Sequence, residues 1–222
     1  MSEVIDTIRF TINKRFQTRV KRSDRVLEVA EAFGLGLEAR EFVIYDNFDV
    51  DLQQGDIVYI SGQSGSGKSL LLRDLASQYA SMSGLNSVAD IDDVSYDERP
   101  IINQVGQSTD EAIKILNMAG LNDAYLFIRC PSELSDGQLY RFKMALLLNS
   151  DADMWVADEF GAVLDRITAK VVAFNVQKFA RQNNKTLIVA TTHKDMIQEL
   201  APTIYIEKRF RNKIEVDRSH GQ

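Results

Sequence analysis

The chain has 222 residues, 45% of them hydrophobic, with a formal net charge of −6. This length suits one large domain or a core with a small appendage, and no apolar run nears the roughly 18 residues of a membrane span. The acidic balance argues against a broadly cationic nucleic-acid coat. The single cysteine (Cys130) excludes an internal disulfide, and with only two histidines beside it there is no zinc cluster to propose. Arg9, Lys14 and Arg15 interrupt any apolar stretch that could serve as a signal peptide, so the expected setting is cytoplasmic.

Residues 1–40 read as a basic N-terminal arm without a defined role. Arg9, Lys14, Arg15, Arg19, Lys21, Arg22 and Arg25 crowd there around one acid, Asp24, and a short helix follows over Val26–Phe33, ending at Gly34. Residues 42–61 read as strands, with Val50, Leu52, Ile57, Val58 and Ile60 available for a core. Ser108 and Glu111 form a capping box for a helix that carries Ala112, Ile115, Leu116 and Ala119 on one side and closes at Gly120. A second helix runs through Leu139–Leu148. Met154–Ala157 is a short buried strand, and Val172, Val176 and Phe179 have helical spacing. Thr186–Ala190 returns to strand, and the Ile204–Ile206 and Ile214–Val216 runs suggest a closing hairpin. Strands alternating with helices in this way predict an α/β core with a mostly parallel sheet. A second basic cluster, Lys208, Arg209, Arg211, Lys213 and Arg218, lies near the end. Each cluster reads first as a solvated face and second as a phosphate contact.

The most specific string is Gly62-Gln63-Ser64-Gly65-Ser66-Gly67-Lys68-Ser69, followed by Leu70. It fits the phosphate-loop pattern in full, after the apolar run Ile57–Ile60 and before a helical pattern. Its glycines let successive N–H groups face a phosphate chain at the positive end of the next helix. Lys68 is placed to reach the β- and γ-phosphates, and Ser69 to put its hydroxyl on Mg²⁺. The expected ligands are therefore ATP and Mg²⁺.

Phosphate loops serve many enzymes, so other strings must choose among them. Leu134-Ser135-Asp136-Gly137-Gln138 opens a helix, which makes an anion site. The strand Met154–Ala157 ends in Asp158, placed to hold Mg²⁺ through water, and Glu159, placed to orient the attacking water. Ala162-Val163-Leu164-Asp165 follows, and His193 stands just past the strand Leu187–Ala190.

In this order the residues resemble the ABC-class ATPases, from about residue 42 to the end. Gly62–Ser69 corresponds to Walker A, and LSDGQ to the LSGGQ signature. Met154–Glu159 corresponds to Walker B with its catalytic glutamate, Ala162–Asp165 to the D-loop, and His193 to the switch histidine. The resemblance implies a P-loop NTPase fold with an antiparallel strand subdomain and a helical subdomain at about 104–150, inside an ATPase domain spanning 41–222. It also implies a head-to-tail homodimer that closes on ATP. Ser135, Gly137 and Gln138 of one subunit would then cap the γ-phosphate held by the other.

A narrower comparison joins Tyr140-Arg141-Phe142, Phe160, Leu164-Asp165-Arg166, and Ala190–His193 with Asp195. These are similar to a soluble ABC branch, some of whose members are fused to a GNAT-type acetyltransferase; here the acetyltransferase would be a separate protein. Asp136 departs from the signature, where a carboxylate facing a γ-phosphate would repel it. The glutamine that joins nucleotide, metal and partner should follow a strand near Ile101-Ile102, as Gln104 or Gln107. The ring that stacks on adenine would be Phe42 or Tyr45, each of which reads equally as a strand core residue. Three functions fit: a soluble ATPase acting on a protein or nucleic acid, the nucleotide-binding subunit of a membrane transporter, and a nucleotide sensor. Glu159 argues against the sensor, and the short Gln104–Leu134 segment, with little surface for a coupling helix, argues for the soluble ATPase.

Overall fold

The computed structural model describes residues 7–82, 88–209 and 214–218. A six-stranded sheet forms the centre, in the order β4-β5-β6-β3-β7-β8. Its strands are β3 (Ile57–Gly62), β4 (Val88–Asp90), β5 (Met154–Ala157), β6 (Thr186–Thr191), β7 (Ile204–Lys208) and β8 (Ile214–Arg218). All neighbours pair in parallel except β7 and β8, the hairpin expected at the end of the chain. The strands β5 and β6 are buried at every position because both faces are covered, as parallel sheets require.

Period-two alternation sorts those side chains between two cores. Tyr59, Trp155, Ala157, Leu187 and Val189 face the helices α3 (Thr109–Met118), α5 (Asp136–Leu148) and α6 (Arg166–Gln182). Val58, Ile60, Met154, Val156, Ile188 and Ala190 face α2 (Lys68–Ser81) and an antiparallel pair of strands. That pair is β1 (Ile8–Thr18) with β2 (Arg40–Leu52), and it brings Phe10, Ile12, Tyr45, Val50 and Leu52 into the second core. The short helix α1 (Asp24–Phe33) lies between the two strands, capped by Ser23 and ended by Gly34 at φ 62°.

The expected boundary at residue 40 falls at the start of β2, so it separates two paired strands. Three cations of the basic arm are neutralised by acids from elsewhere in the fold. Arg9 pairs with Asp51 at 2.7 Å, Lys14 with Asp74 at 2.5 Å and Arg15 with Asp46 at 2.9 Å. The second basic cluster is dispersed as well. Lys208 is buried, Arg209 bonds Glu207 and Glu215, and Arg218 donates to the Asp51 carbonyl, while Arg211 and Lys213 lie outside the described residues. The helical region expected at 104–150 contains α3, α4 (Ala124–Phe127) and α5.

Candidate active site

The carboxyl ends of β3, β6 and β5 lie side by side, and each strand releases one part of the site. Gly62–Ser69 follows β3, His193 follows β6, and Asp158 and Glu159 follow β5. Two strand spacings of about 4.8 Å bring the Asp158 strand within about 10 Å of the phosphate-loop strand. Ligands of open α/β sheets bind at such carboxyl edges.

The loop's path is set by close approaches that only glycine permits. A Cβ on Gly62 would sit 2.2 Å from the Lys208 carbonyl oxygen, and one on Gly67 would sit 2.6 Å from Ile44 Cγ2. Gly67 also holds φ at 102°, just before α2 begins at Lys68. Lys68 is buried, donates from Nζ to the Gln63 carbonyl at 3.1 Å, and forms no ion pair among the described residues. Ser66 Oγ is buried without a hydrogen-bond partner. A buried ammonium folded over a loop of N–H donors, beside an orphaned hydroxyl, fits a polyanion. Gln63, Ser64 and Gly65 are exposed at the rim, with Ser69 and Leu70 half-buried in the first turn of α2.

Asp158 is half-buried and Glu159 exposed. Glu159 adopts φ 46°, and its N–H donates to Asp158 Oδ1 at 3.0 Å, so the turn aims the two carboxylates separately. The next residue, Phe160, returns to the sheet edge through its N–H to the Ala190 carbonyl at 2.9 Å. His193 is half-buried, and the Tyr59 hydroxyl donates to its carbonyl at 2.5 Å.

The LSDGQ loop opens α5, which packs against α3 and α6. Ser135 is the N-cap, and its N–H donates to Gln138 Oε1 at 3.0 Å. Asp136 is exposed in the first turn, where the helix dipole favours a carboxylate. A Cβ on Gly137 would lie 3.4 Å from the Val163 carbonyl oxygen, so the signature helix rests on the Ala162–Asp165 turn of its own chain. Asp165 caps α6, accepting from the N–H groups of Ile167 and Thr168 at 3.1 and 3.0 Å.

Residues 45–162 match the family described as ABC transporter, and they include the phosphate loop, the signature and the Asp158-Glu159 turn. The chain belongs to the ABC transporter family. It is an ABC-type P-loop ATPase. An aliphatic sulfonates import ATP-binding protein of Rhodococcus jostii is 26% identical over 75% of this chain and 73% of its own length. A thiamine import ATP-binding protein of Vibrio vulnificus is 26% identical over 72% of this chain and 80% of its own. An ATP-binding cassette solved as a dimer in a post-hydrolysis state, bound to ADP and Pi, has the same fold. Its TM-score is 0.67 at 17% identity, covering 98% of this chain and all of that one.

Three residues of this ABC ATPase take places other than those expected. Ile101–Asn103 is a 3₁₀ turn that begins after Pro100, whose fixed φ suits a turn better than a central strand. Gln104 therefore follows a turn, and its side chain is committed to the neighbouring loop. Oε1 accepts from Asp97 N–H at 2.9 Å, while Nε2 donates to the Asp97 and Arg99 carbonyls at 3.0 and 2.5 Å. As placed, both ends of the amide are engaged by residues 97–99. Gln107 is exposed, and its N–H donates to Glu111 Oε2. Tyr45 is buried with its hydroxyl donating to the Gly67 carbonyl at 3.0 Å, so it braces the loop from behind and offers adenine no ring face. Phe42 is 49% exposed opposite Phe16, which is 45% exposed, and either ring is open to stacking.

Lys208, taken from the sequence as a surface cation, completes the brace. Nζ donates to the Ile44 carbonyl at 2.9 Å and lies 4.8 Å from the Tyr45 ring centroid; burial holds its pKa below the usual lysine range. The signal was present in the sequence, because Ile204, Ile206 and Lys208 share one face at strand period.

Proposed function

We propose that this chain is the ATP-hydrolysing subunit of an ABC transport system, closing as a head-to-tail homodimer on ATP and passing that closure to a membrane-spanning partner. The observation that carries the hydrolytic part is the convergence of Gly62–Ser69, Asp158, Glu159 and His193 on adjacent strand ends. The loop N–H groups and Lys68 bind the phosphates. Ser69 and Asp158 would hold Mg²⁺, which supplies charge neutralisation between the phosphates. Glu159 Oε orients and polarises the attacking water, and His193 closes the site from the β6 edge. Ser135, Gly137 and Gln138 of the second subunit complete it.

Two findings favour a transporter subunit over a stand-alone soluble ATPase. The relatives are named as import ATP-binding proteins. A groove of about 800 Å³ lies on the helical region, lined by Ile102, Val105, Ile113, Phe127 and Ile128 among others, and Ile128 is 68% exposed. The Gln104–Leu134 segment thus has more docking surface than its length suggested. No helix among the described residues is long and apolar enough to cross a membrane. Those relatives lend no support to a separate acetyltransferase. A nucleic-acid partner would have to be met by Arg19, Lys21, Arg22 and Arg25, since Arg9, Lys14 and Arg15 are neutralised.

The test has two arms. Lys68→Ala should weaken ATP binding, and Glu159→Gln should retain binding, slow turnover at least about 100-fold and trap a dimer seen by light scattering with ATP and Mg²⁺. Parental turnover in Glu159→Gln would remove its role. In cells, the chain should sediment with membranes and Ile128→Glu should release it with ATP binding intact. A parent found wholly in the soluble fraction returns the reading to a soluble ATPase.

A further inference from the structure

Three consecutive residues after β6 are each held by a different element. The Tyr59 hydroxyl of β3 takes the His193 carbonyl, and Lys194 Nζ stands 2.8 Å from Glu207 of β7. Asp195 receives both arms of the Arg166 guanidinium, Nε at 2.9 Å from Oδ2 and the second arm on Oδ1. Arg166 opens α6 directly after Asp165, the last residue of the D-loop turn.

The same two segments also touch further along. Phe160 N–H bonds the Ala190 carbonyl, and a Cβ on Gly161 would lie 3.4 Å from Met196 Sδ. The turn from Glu159 to Arg166 and the segment from Ala190 to Met196 are therefore joined at both ends. The Arg166–Asp195 fork is the one charged link in this seam among the described residues, 29 positions apart in sequence. Its side chains are 38% and 42% exposed, so it contributes little to stability, whereas a bidentate fork fixes direction.

We propose that Arg166 and Asp195 are positioning residues that lock the His193 segment to the D-loop turn, so that displacement of Leu164-Asp165 on dimer closure carries His193 with it. Neither side chain touches nucleotide; each acts through His193. This rests on the hydrolytic reading above. Without the fork, His193 keeps its carbonyl anchor to Tyr59 but loses its tie to the part of the chain that meets the second subunit.

Steady-state ATP hydrolysis by the full chain tests this with Arg166→Ala, Asp195→Ala, Arg166→Lys, the reversal Arg166→Asp/Asp195→Arg, and Lys170→Ala. Lys170 pairs with Glu199 between the same two regions but away from His193. Each alanine variant should lower kcat about tenfold with KM for ATP within about twofold, the signature of a lost transition-state contact. Arg166→Lys, which keeps the charge and loses the fork, should fall between, and the reversal should recover most of the loss. Lys170→Ala should match the parent. Hydrogen exchange of peptides spanning 192–196 should rise in the alanine variants and fall again in the reversal, whether or not turnover is measured. Parental kcat and exchange in the alanine variants, or a reversal as slow as either, would overturn the proposal. A parent without turnover would overturn the hydrolytic reading together with it.

Discussion

Replacing Gly67 by Ala tests how the phosphate loop is held, and Gly65→Ala is its internal control. Both glycines have positive φ, 102° and 72°, where an L-residue costs about 1–2 kcal/mol. They differ in surroundings. A Cβ on Gly65 meets nothing within 4 Å, whereas one on Gly67 lies 2.6 Å from Ile44 Cγ2. Relieving that overlap by moving a packed side chain adds about 1–3 kcal/mol. Gly67→Ala should therefore cost about 2–5 kcal/mol and Gly65→Ala about 1–2 kcal/mol. At about 2–4 °C per kcal/mol for a chain of this size, melting should fall by about 4–20 °C and 2–8 °C respectively. Ile44→Ala removes the opposing methyl, so in a double-mutant cycle with Gly67→Ala it should return about 1–3 kcal/mol of the penalty. Thermal denaturation and ATP titration on the four proteins of the cycle and Gly65→Ala provide the measurement. Equal losses for the two glycines, or a cycle with no coupling to Ile44, would refute the account.

Tyr45→Phe should cost only about 0.5–1.5 kcal/mol, a few degrees in melting, because the Gly67 carbonyl keeps its bond from Leu71 N–H at 3.1 Å; a loss above about 4 kcal/mol would mean that the hydroxyl holds more than this carbonyl. The Arg166 guanidinium holds the Asp195 carboxyl below the usual carboxylate range. A depressed native pKa contributes stability above the unfolded value of about 3.9 and loses it as pH falls toward the native one. Parent and Asp195→Asn should therefore differ by no more than about 2–4 °C in melting at pH 6, with the gap narrowing as pH falls below about 3.9, the half-exposed pair being worth at most about 1 kcal/mol; a difference that widens on acidification contradicts the assignment. Duplex DNA should not shift with the chain at about 50 mM salt, with or without ATP. A salt-sensitive shift lost on replacing Arg19, Lys21, Arg22 and Arg25 by Ala would refute this and show that these four cations are required for it.

Much of the candidate site was legible in the sequence because its parts are local. Gly62–Ser69 must follow a strand and open a helix, and it does so between β3 and α2. Met154–Ala157 is apolar throughout and short, so Asp158 and Glu159 had to emerge at its end. Ser108, Ser135 and Asp165 each cap the helix that follows, since capping depends on three or four neighbouring residues. The tertiary structure decided what distant residues do. Tyr45 reads equally as stacking ring or strand core, and only the approach of β2 to the loop turns its hydroxyl onto Gly67. Gln104 reads as a metal ligand by its distance along the chain, but the backbone of Asp97 and Arg99 takes its amide first. The basic arm reads as unpaired because its acids, Asp46, Asp51 and Asp74, come from β2, the end of that strand and α2. Arg166 and Asp195 meet because α6 begins beside the edge where β6 ends. Caps, turns and strand periods depend on a few consecutive residues and are written in order. Pairings across a sheet depend on which strands become neighbours, and that is settled only when two apolar faces are buried against the same six strands.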